Sequence, residues 1–181
     1  MRITKVYTRT GDDGTTGLAK GERLSKDSPR IVAFGALDEI NASIGVCLSE
    51  SLLDEISRVL KKIQHVMFNI GGELAVVDEE LNLISQDDIN DLEKAIYLLN
   101  DSLPTLKEFV IPRGSRGTAY LHQARVVCRR SERDLVKLSH KEEINPLHIQ
   151  YLNRLSDYLF VAARYQNMKD GGGEGMWEKS A

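Results

Sequence analysis

Between residues 53 and 74 the apolar positions Leu53, Ile56, Leu60, Ile63, Met67, Ile70 and Leu74 alternate strictly at spacings of three and four. A helix gathers such positions into one stripe, because 3.6 residues complete a turn, whereas a strand scatters them over both faces. The segment is therefore a bundle helix whose seam must meet other helices. Gly71 and Gly72 near its end allow close packing.

The rest of the chain supplies the partners. Ser28 can cap and Pro29 can open a first helix whose face carries Ala33, Leu37, Ile40, Ile44 and Leu48. Ser85 and Asp88 form a capping pair ahead of a third, with Ile89, Leu92, Ile96, Leu99 and Leu103, until Pro104 ends it. A fourth runs from about Thr118 to Leu138 and buries Leu121, Ala124, Cys128, Ser131, Leu135 and Leu138. Asn145 caps and Pro146 starts a fifth, striped by Leu152, Leu155, Leu159 and Ala162 or Ala163. Period-two alternation is confined to a short strand over Ile3 to Tyr7. The expected fold is all-α, a five-helix bundle. A chain of 181 residues makes one domain. It divides into a glycine-rich N-terminal arm (1–28), the bundle (29–168) and a flexible tail (169–181) with the sequence GGGEGMWEKSA after Asp170.

A net charge of −3 provides no global basic field, so neither nucleic acid nor a membrane surface is an expected partner. No run approaches the roughly 18–20 apolar residues that span a bilayer, and no signal peptide opens the chain. Two cysteines, Cys47 and Cys128, build no disulfide scaffold, and a cytoplasmic location is expected.

Familiar sites are missing. The residues three before His65, His122, His140 and His148 are Lys62, Ala119, Lys137 and Asn145, so no di-iron Glu-x-x-His motif exists. No Cys or His pair has zinc spacing, and neither a P-loop nor a Rossmann fingerprint occurs. What remains is the arm Thr8-Arg9-Thr10-Gly11-Asp12-Asp13-Gly14-Thr15-Thr16-Gly17, where glycines let backbone N–H groups converge on an anion and hydroxyls add donors. A mobile arm of turn formers is the alternative. On the fourth helix Arg125, Arg129, Glu132 and Arg133 share a face, and Arg130 widens the patch. Such guanidinium groups can neutralise a departing polyphosphate, or simply form a solvated face balanced by Glu132 and Asp134. Asp38 and Glu39, mid-way along the first helix, can meet an arginine across a helix or subunit boundary. Phe109-Val110-Ile111-Pro112-Arg113-Gly114-Ser115 either plugs the core or walls a pocket, and Asn153 and Asp157 offer polar groups one turn apart.

Taken together, TRTGDDGTTGL, FGALDEINASIG, FVIPRGS, ARVVCRRSERDL and YLNRLSDYLFVAARY resemble the PduO-type ATP:cob(I)alamin adenosyltransferases, from residue 3 to about 166. The resemblance implies transfer of the 5′-deoxyadenosyl group of ATP to a reduced corrinoid, cob(I)alamin, with release of triphosphate. It implies a homotrimer with sites between subunits, a flavin-dependent reductase as electron source and an adenosylcobalamin-dependent client enzyme. Carried onto this chain, Thr8, Arg9, Thr10, Gly11, Thr16 and Lys26 hold ATP from the arm, and Arg129, Arg130, Glu132, Arg133 and Asn153 complete the site. Asp38 pairs with Arg125 across the interface, and Phe109 lies below the corrin ring. Mg²⁺ rides on phosphate oxygens and waters, with no protein ligand assigned. Asp13 stands where the family usually has Lys, and Arg113 where it often has Gly. A helical module docking a polyanion through the arginine face is the competing reading.

Overall fold

The computed structural model describes residues 7–19, 21–77 and 80–179. Five helices form: α1 (Pro29–Leu48), α2 (Asp54–Leu74), α3 (Gln86–Asn100), α4 (Arg116–Ser139) and α5 (Pro146–Lys169). α1 packs against α2 and α4, α4 against α5, and α5 against α3. Two hydrogen bonds tie α5 to both ends of α2, Leu53 N to Gln166 Oε1 at 3.0 Å and His148 Nε2 to Glu73 Oε2 at 2.5 Å.

The stripes behave as their spacing requires. Ile56, Leu60, Ile63, Met67, Ile70 and Leu74 of α2 are all buried, as are all six expected positions of α4. α3 stops at Asn100, one turn earlier than its stripe, so Leu103 packs from the loop. α5 is buried on more than one side, with Tyr151, Tyr158, Val161 and Arg164 added to its leucine stripe, because it lies between α3 and α4. Cys128 Sγ, 3.2 Å from Leu152 O, and Ser131 Oγ, 2.9 Å from Ala36 O, join α4 to α5 and α1. Burial pushes the Cys47 thiol up to about 12 and Cys128 up as well, so both are inert packing groups.

The termini of the helices correct several expectations. Asn145 caps α5 by accepting from Leu147 N at 3.0 Å, and Asp88 Oδ2 accepts from Ser85 N at 2.9 Å at the start of α3. Ser28 occupies the N-cap of α1 but makes no side-chain cap bond. α4 begins at Arg116 rather than near Thr118, since Ser115 accepts from Thr118 N at 3.3 Å. Gly117 then comes so close to Leu52 that a Cβ would stand 2.8 Å from its Cδ2.

Residues 3–6 of the expected strand lie outside the described residues. The arm instead forms a small antiparallel hairpin, β1 (Thr15–Gly17) with β2 (Arg23–Ser25). By length and hydropathy α1 is apolar enough to cross a membrane, contrary to the expectation, yet here Ala33, Leu37, Ile40, Ile44 and Cys47 form part of the bundle core.

The tail, expected as flexible, folds back on the bundle over its described residues. After α5 the chain turns back across the α3–α4 loop, with Ile111 N donating to Gly175 O at 2.7 Å and Trp177 N to Phe109 O at 2.8 Å. Its glycines mark close approach: a Cβ on Gly172 would lie 2.4 Å from Asn167 Oδ1, and one on Gly175 2.3 Å from Arg113 Nε.

Candidate functional site

The arm is organised from within. Lys26 Nζ donates to Gly11 O at 2.7 Å, and Lys26 N to Gly14 O at 2.9 Å, which closes the Gly11–Gly14 turn onto β2. Thr8 and Thr10 hydroxyls are 2.8 Å apart, Thr16 is half-buried in β1, and Arg9 adopts a left-handed φ of 60°. A non-glycine residue in that region is strained, and such strain gathers at binding sites. Asp13 is exposed, but its carboxylate is not unpartnered. Its Oδ1 accepts from Thr15 N at 2.9 Å and Thr15 Oγ1 at 2.7 Å, and these bonds hold the carboxyl below its ordinary range. Arg23, which the sequence reading passed over, donates to Thr10 O and Thr15 Oγ1 and lies 3.8 Å from Asp13.

The α4 arginines fall into three environments. Arg130 is ion-paired with Glu39 of α1. Arg129 and Arg133 are exposed, and among the described residues neither makes an ion pair; Arg133 Nη1 donates to Arg129 O at 3.0 Å. Arg125 is half-buried, its guanidinium 5.8 Å over the Phe160 ring, and its Nε has no hydrogen-bond partner among the described residues. Burial and the neighbouring Arg129 charge push Arg125 below its ordinary value. Glu132 and Asn153 are brought together, with Asn153 Nδ2 donating to Glu132 Oε1 at 3.1 Å. Arg154 extends this network, bonding Asn153 Oδ1 at 2.9 Å and Glu93 Oε1 at 2.6 Å. Neither Arg154 nor Glu93 is visible as a site residue from spacing, because they meet only where α3 packs on α5.

The single chain does not unite these parts. Among the described residues no hydrogen bond or ion pair joins the arm to α4; Ala19 N instead donates to Ala75 O, at the end of α2, at 3.1 Å. Asp38 makes no ion pair with Arg125 in the chain. It lines an apolar cleft of about 350 Å³ between α1 and α2, with Phe34, Asn41, Met67, Phe68 and Gly71. Phe68 is 71% exposed there, a large apolar ring open on most of its surface. Phe109 does not plug the core either: it is 79% exposed, with the Trp177 ring edge-on at 6.4 Å.

The whole-chain comparisons decide the family. The cobalamin adenosyltransferase family profile matches residues 6–166. The chain is 45% identical over 179 residues to a cobalamin adenosyltransferase of Cupriavidus metallidurans, covering 98% of this chain and 96% of that one. The chain belongs to the cobalamin adenosyltransferase family. A corrinoid adenosyltransferase of Bacillus subtilis is 42% identical over 182 residues, with 98% and 94% covered. Among solved structures, a phenylalanine-to-alanine variant of the PduO-type ATP:corrinoid adenosyltransferase from Lactobacillus reuteri, complexed with cobalamin and ATP, superposes with a TM-score of 0.92 at 32% identity. That match covers 97% of this chain and 100% of that one. An arginine-to-lysine variant of the same enzyme, complexed with ATP, gives 0.89 at 33% identity, covering 96% and 100%.

This adenosyltransferase also contains buried polar groups that its helical stripes conceal. His122 is 3% exposed, and its Nδ1 has no partner among the described residues. Burial, reinforced by Arg125 and opposed by Glu174, lowers its pKa to about 4. An unfolded histidine titrates near about 6.5. Between those values the unfolded chain binds a proton that the native one refuses. The stabilisation from neutral His122 is thus complete above the unfolded value and lost as pH falls toward the folded one. The difference amounts to about 3 kcal/mol at most. Denaturant titrations at pH 7 and pH 4.5 are expected to show a smaller acid loss of stability in His122→Phe than in the native chain. An equal loss in both refutes this assignment.

Proposed function

We propose that this chain transfers the 5′-deoxyadenosyl group of ATP to the cobalt of cob(I)alamin. The nucleophile is cobalt(I) itself: its electron pair forms the Co–C5′ bond while the C5′–O bond breaks and triphosphate leaves with that bond's electrons. No proton need be removed, so the protein's task is alignment and stabilisation of the departing charge.

The observation that carries this reading is the division of the α4 arginines. Among the described residues Arg129 and Arg133 pair with no carboxylate, whereas Arg130 is balanced by Glu39 and is left a secondary, positioning part. Planar guanidinium forks match phosphate oxygens, and Glu132 with Asn153 adds acceptors and donors beside them for the nucleoside. Thr8, Arg9, Thr10, Gly11, Thr16 and Lys26 contribute the arm's side of the ATP site, with Arg9's strained backbone as the local sign. Mg²⁺ accompanies the triphosphate. This small, hard cation is held by phosphate oxygens and water. Phe109, exposed at the bundle end, is the aromatic surface offered to the lower face of the corrin, where exclusion of an axial ligand makes cobalt(II) easier to reduce.

Among the described residues no hydrogen bond joins the arm to the arginine face, and Arg125 has no carboxylate partner while Asp38 lines an apolar cleft without one. A homotrimer that pairs Asp38 of one copy with Arg125 of the next resolves both facts, and places the sites between subunits. A cytoplasmic location, a flavin-dependent reductase and an adenosylcobalamin-dependent client complete the picture.

Anaerobic incubation with ATP, Mg²⁺ and chemically reduced cobalamin is expected to produce the adenosylcobalamin spectrum and one triphosphate per turnover. Folded protein that gives neither disproves the assignment.

A further inference from the structure

Residues 105–113 carry Phe109 across the bundle end, and among the described residues they form hydrogen bonds with the rest of the chain only through the C-terminal strap, at Ile111 and Phe109. The strap is itself fastened at one charged point. Arg164 is 4% exposed, and its Nε and Nη2 bind the Glu174 carboxylate, the second contact at 3.1 Å. The same Nη2 donates to Pro104 O at 2.7 Å, at the entrance to the Phe109 loop. One guanidinium therefore holds both the segment entering the loop and the strap lying across it. Beyond Glu174, Val110 pairs with Met176 and the Trp177 ring stands against Phe109 at an interplanar angle of 69°. Arg164 also lies 5.9 Å over the Phe160 ring, which Arg125 and His122 approach as well.

We propose that Glu174 is a positioning residue, whose buried ion pair with Arg164 docks the strap on the Phe109 loop and thereby sets the height of the Phe109 ring under the corrinoid. The proposal rests on the reading of Phe109 given above. A buried arginine deprived of its carboxylate no longer has reason to hold the strap beyond Gly173, where Asn167 stops holding it, while water competes for the two backbone bonds that join the strap to the loop. Phe109 then loses its edge-on neighbour and its fixed backbone together. ATP, bound through the arm and α4, is not touched by this change.

Trp177 is the chain's single tryptophan, so its fluorescence reports the strap directly. In Glu174→Gln the emission is expected to shift to the red and become more accessible to iodide. The kcat/KM for cob(I)alamin should fall by about 10- to 100-fold, the scale of an ångström-sized misplacement. The KM for ATP should stay within about twofold of native. Glu174→Asp, which keeps the charge, should recover most of both signals. An unmoved Trp177 spectrum overturns the docking, and a released Trp177 with native corrinoid kinetics overturns the positioning role. Equal losses toward ATP and corrinoid, unrescued by aspartate, reduce Glu174 to general stability and also overturn it. Phe109→Ala, run in parallel, separates the two layers: native corrinoid kinetics in that variant defeat the Phe109 reading and the positioning role with it, while the Trp177 spectrum of Glu174→Gln still decides the docking.

Discussion

Replacing Arg129 with alanine is expected to lower kcat/KM by about 10²- to 10³-fold, the usual cost of removing one preorganised donor to a developing charge. The guanidinium is exposed and makes no ion pair among the described residues, so its whole charge is available to a triphosphate as the C5′–O bond lengthens. Arg130 offers a contrast within the same helical turn. Its charge is already answered by Glu39, and Arg130→Ala should cost less. Arg129→Lys restores the charge without the planar fork and should fall between native and alanine. Since Arg129 makes no packing contribution to the core, far-ultraviolet circular dichroism and thermal midpoint should remain native. Steady-state assay with saturating reduced cobalamin measures the effect, and an alanine variant as active as the native chain rejects the role.

The second large effect concerns assembly. Arg125 is half-buried with no carboxylate partner among the described residues, and burial already depresses its pKa, which is a costly state for an isolated monomer. If Asp38 of a neighbouring copy answers it, reversing either charge leaves two like charges confined at the contact. Breaking a buried pair costs about 3–5 kcal/mol, which weakens association by about 10²- to 4 × 10³-fold. Asp38→Arg and Arg125→Asp should each sediment as smaller species with little activity, and the double reversal should recover the larger one. Both single variants sedimenting as native would remove the pairing. In the proposed trimer the cleft beside Asp38 would add apolar area to that contact, through Phe34 and Phe68.

Where a helix buries one stripe, the repeat of apolar residues was enough to locate it, and α2 and α4 follow their spacing position by position. The caps at Asn145 and Asp88 were legible for the same reason, since each satisfies a backbone group that the helix itself leaves unpaired. The arginine series on α4 was visible as a face, but its inner differences were not. Which arginine is neutralised depends on Glu39 lying across the α1–α4 contact, ninety residues away in the chain. The burial of Arg30, His122, His148 and Arg164 escaped, because a polar residue in a stripe looks like a break in it until its partner is known. Glycines were misread in the tail: composition signals freedom, whereas Gly172 and Gly175 are small so that Asn167 and Arg113 can approach.

Periodicity, caps and the sum of the motifs thus determined an all-helical bundle and its family, since both depend on neighbours a few turns apart along the chain. The tertiary structure decided which charges are spent within the chain and which are left for a ligand or another copy. It also decided that the C-terminal segment lies over the Phe109 loop. Those outcomes depend on pairs brought together from distant helices, where burial strengthens each charge and only the folded geometry says what stands opposite it.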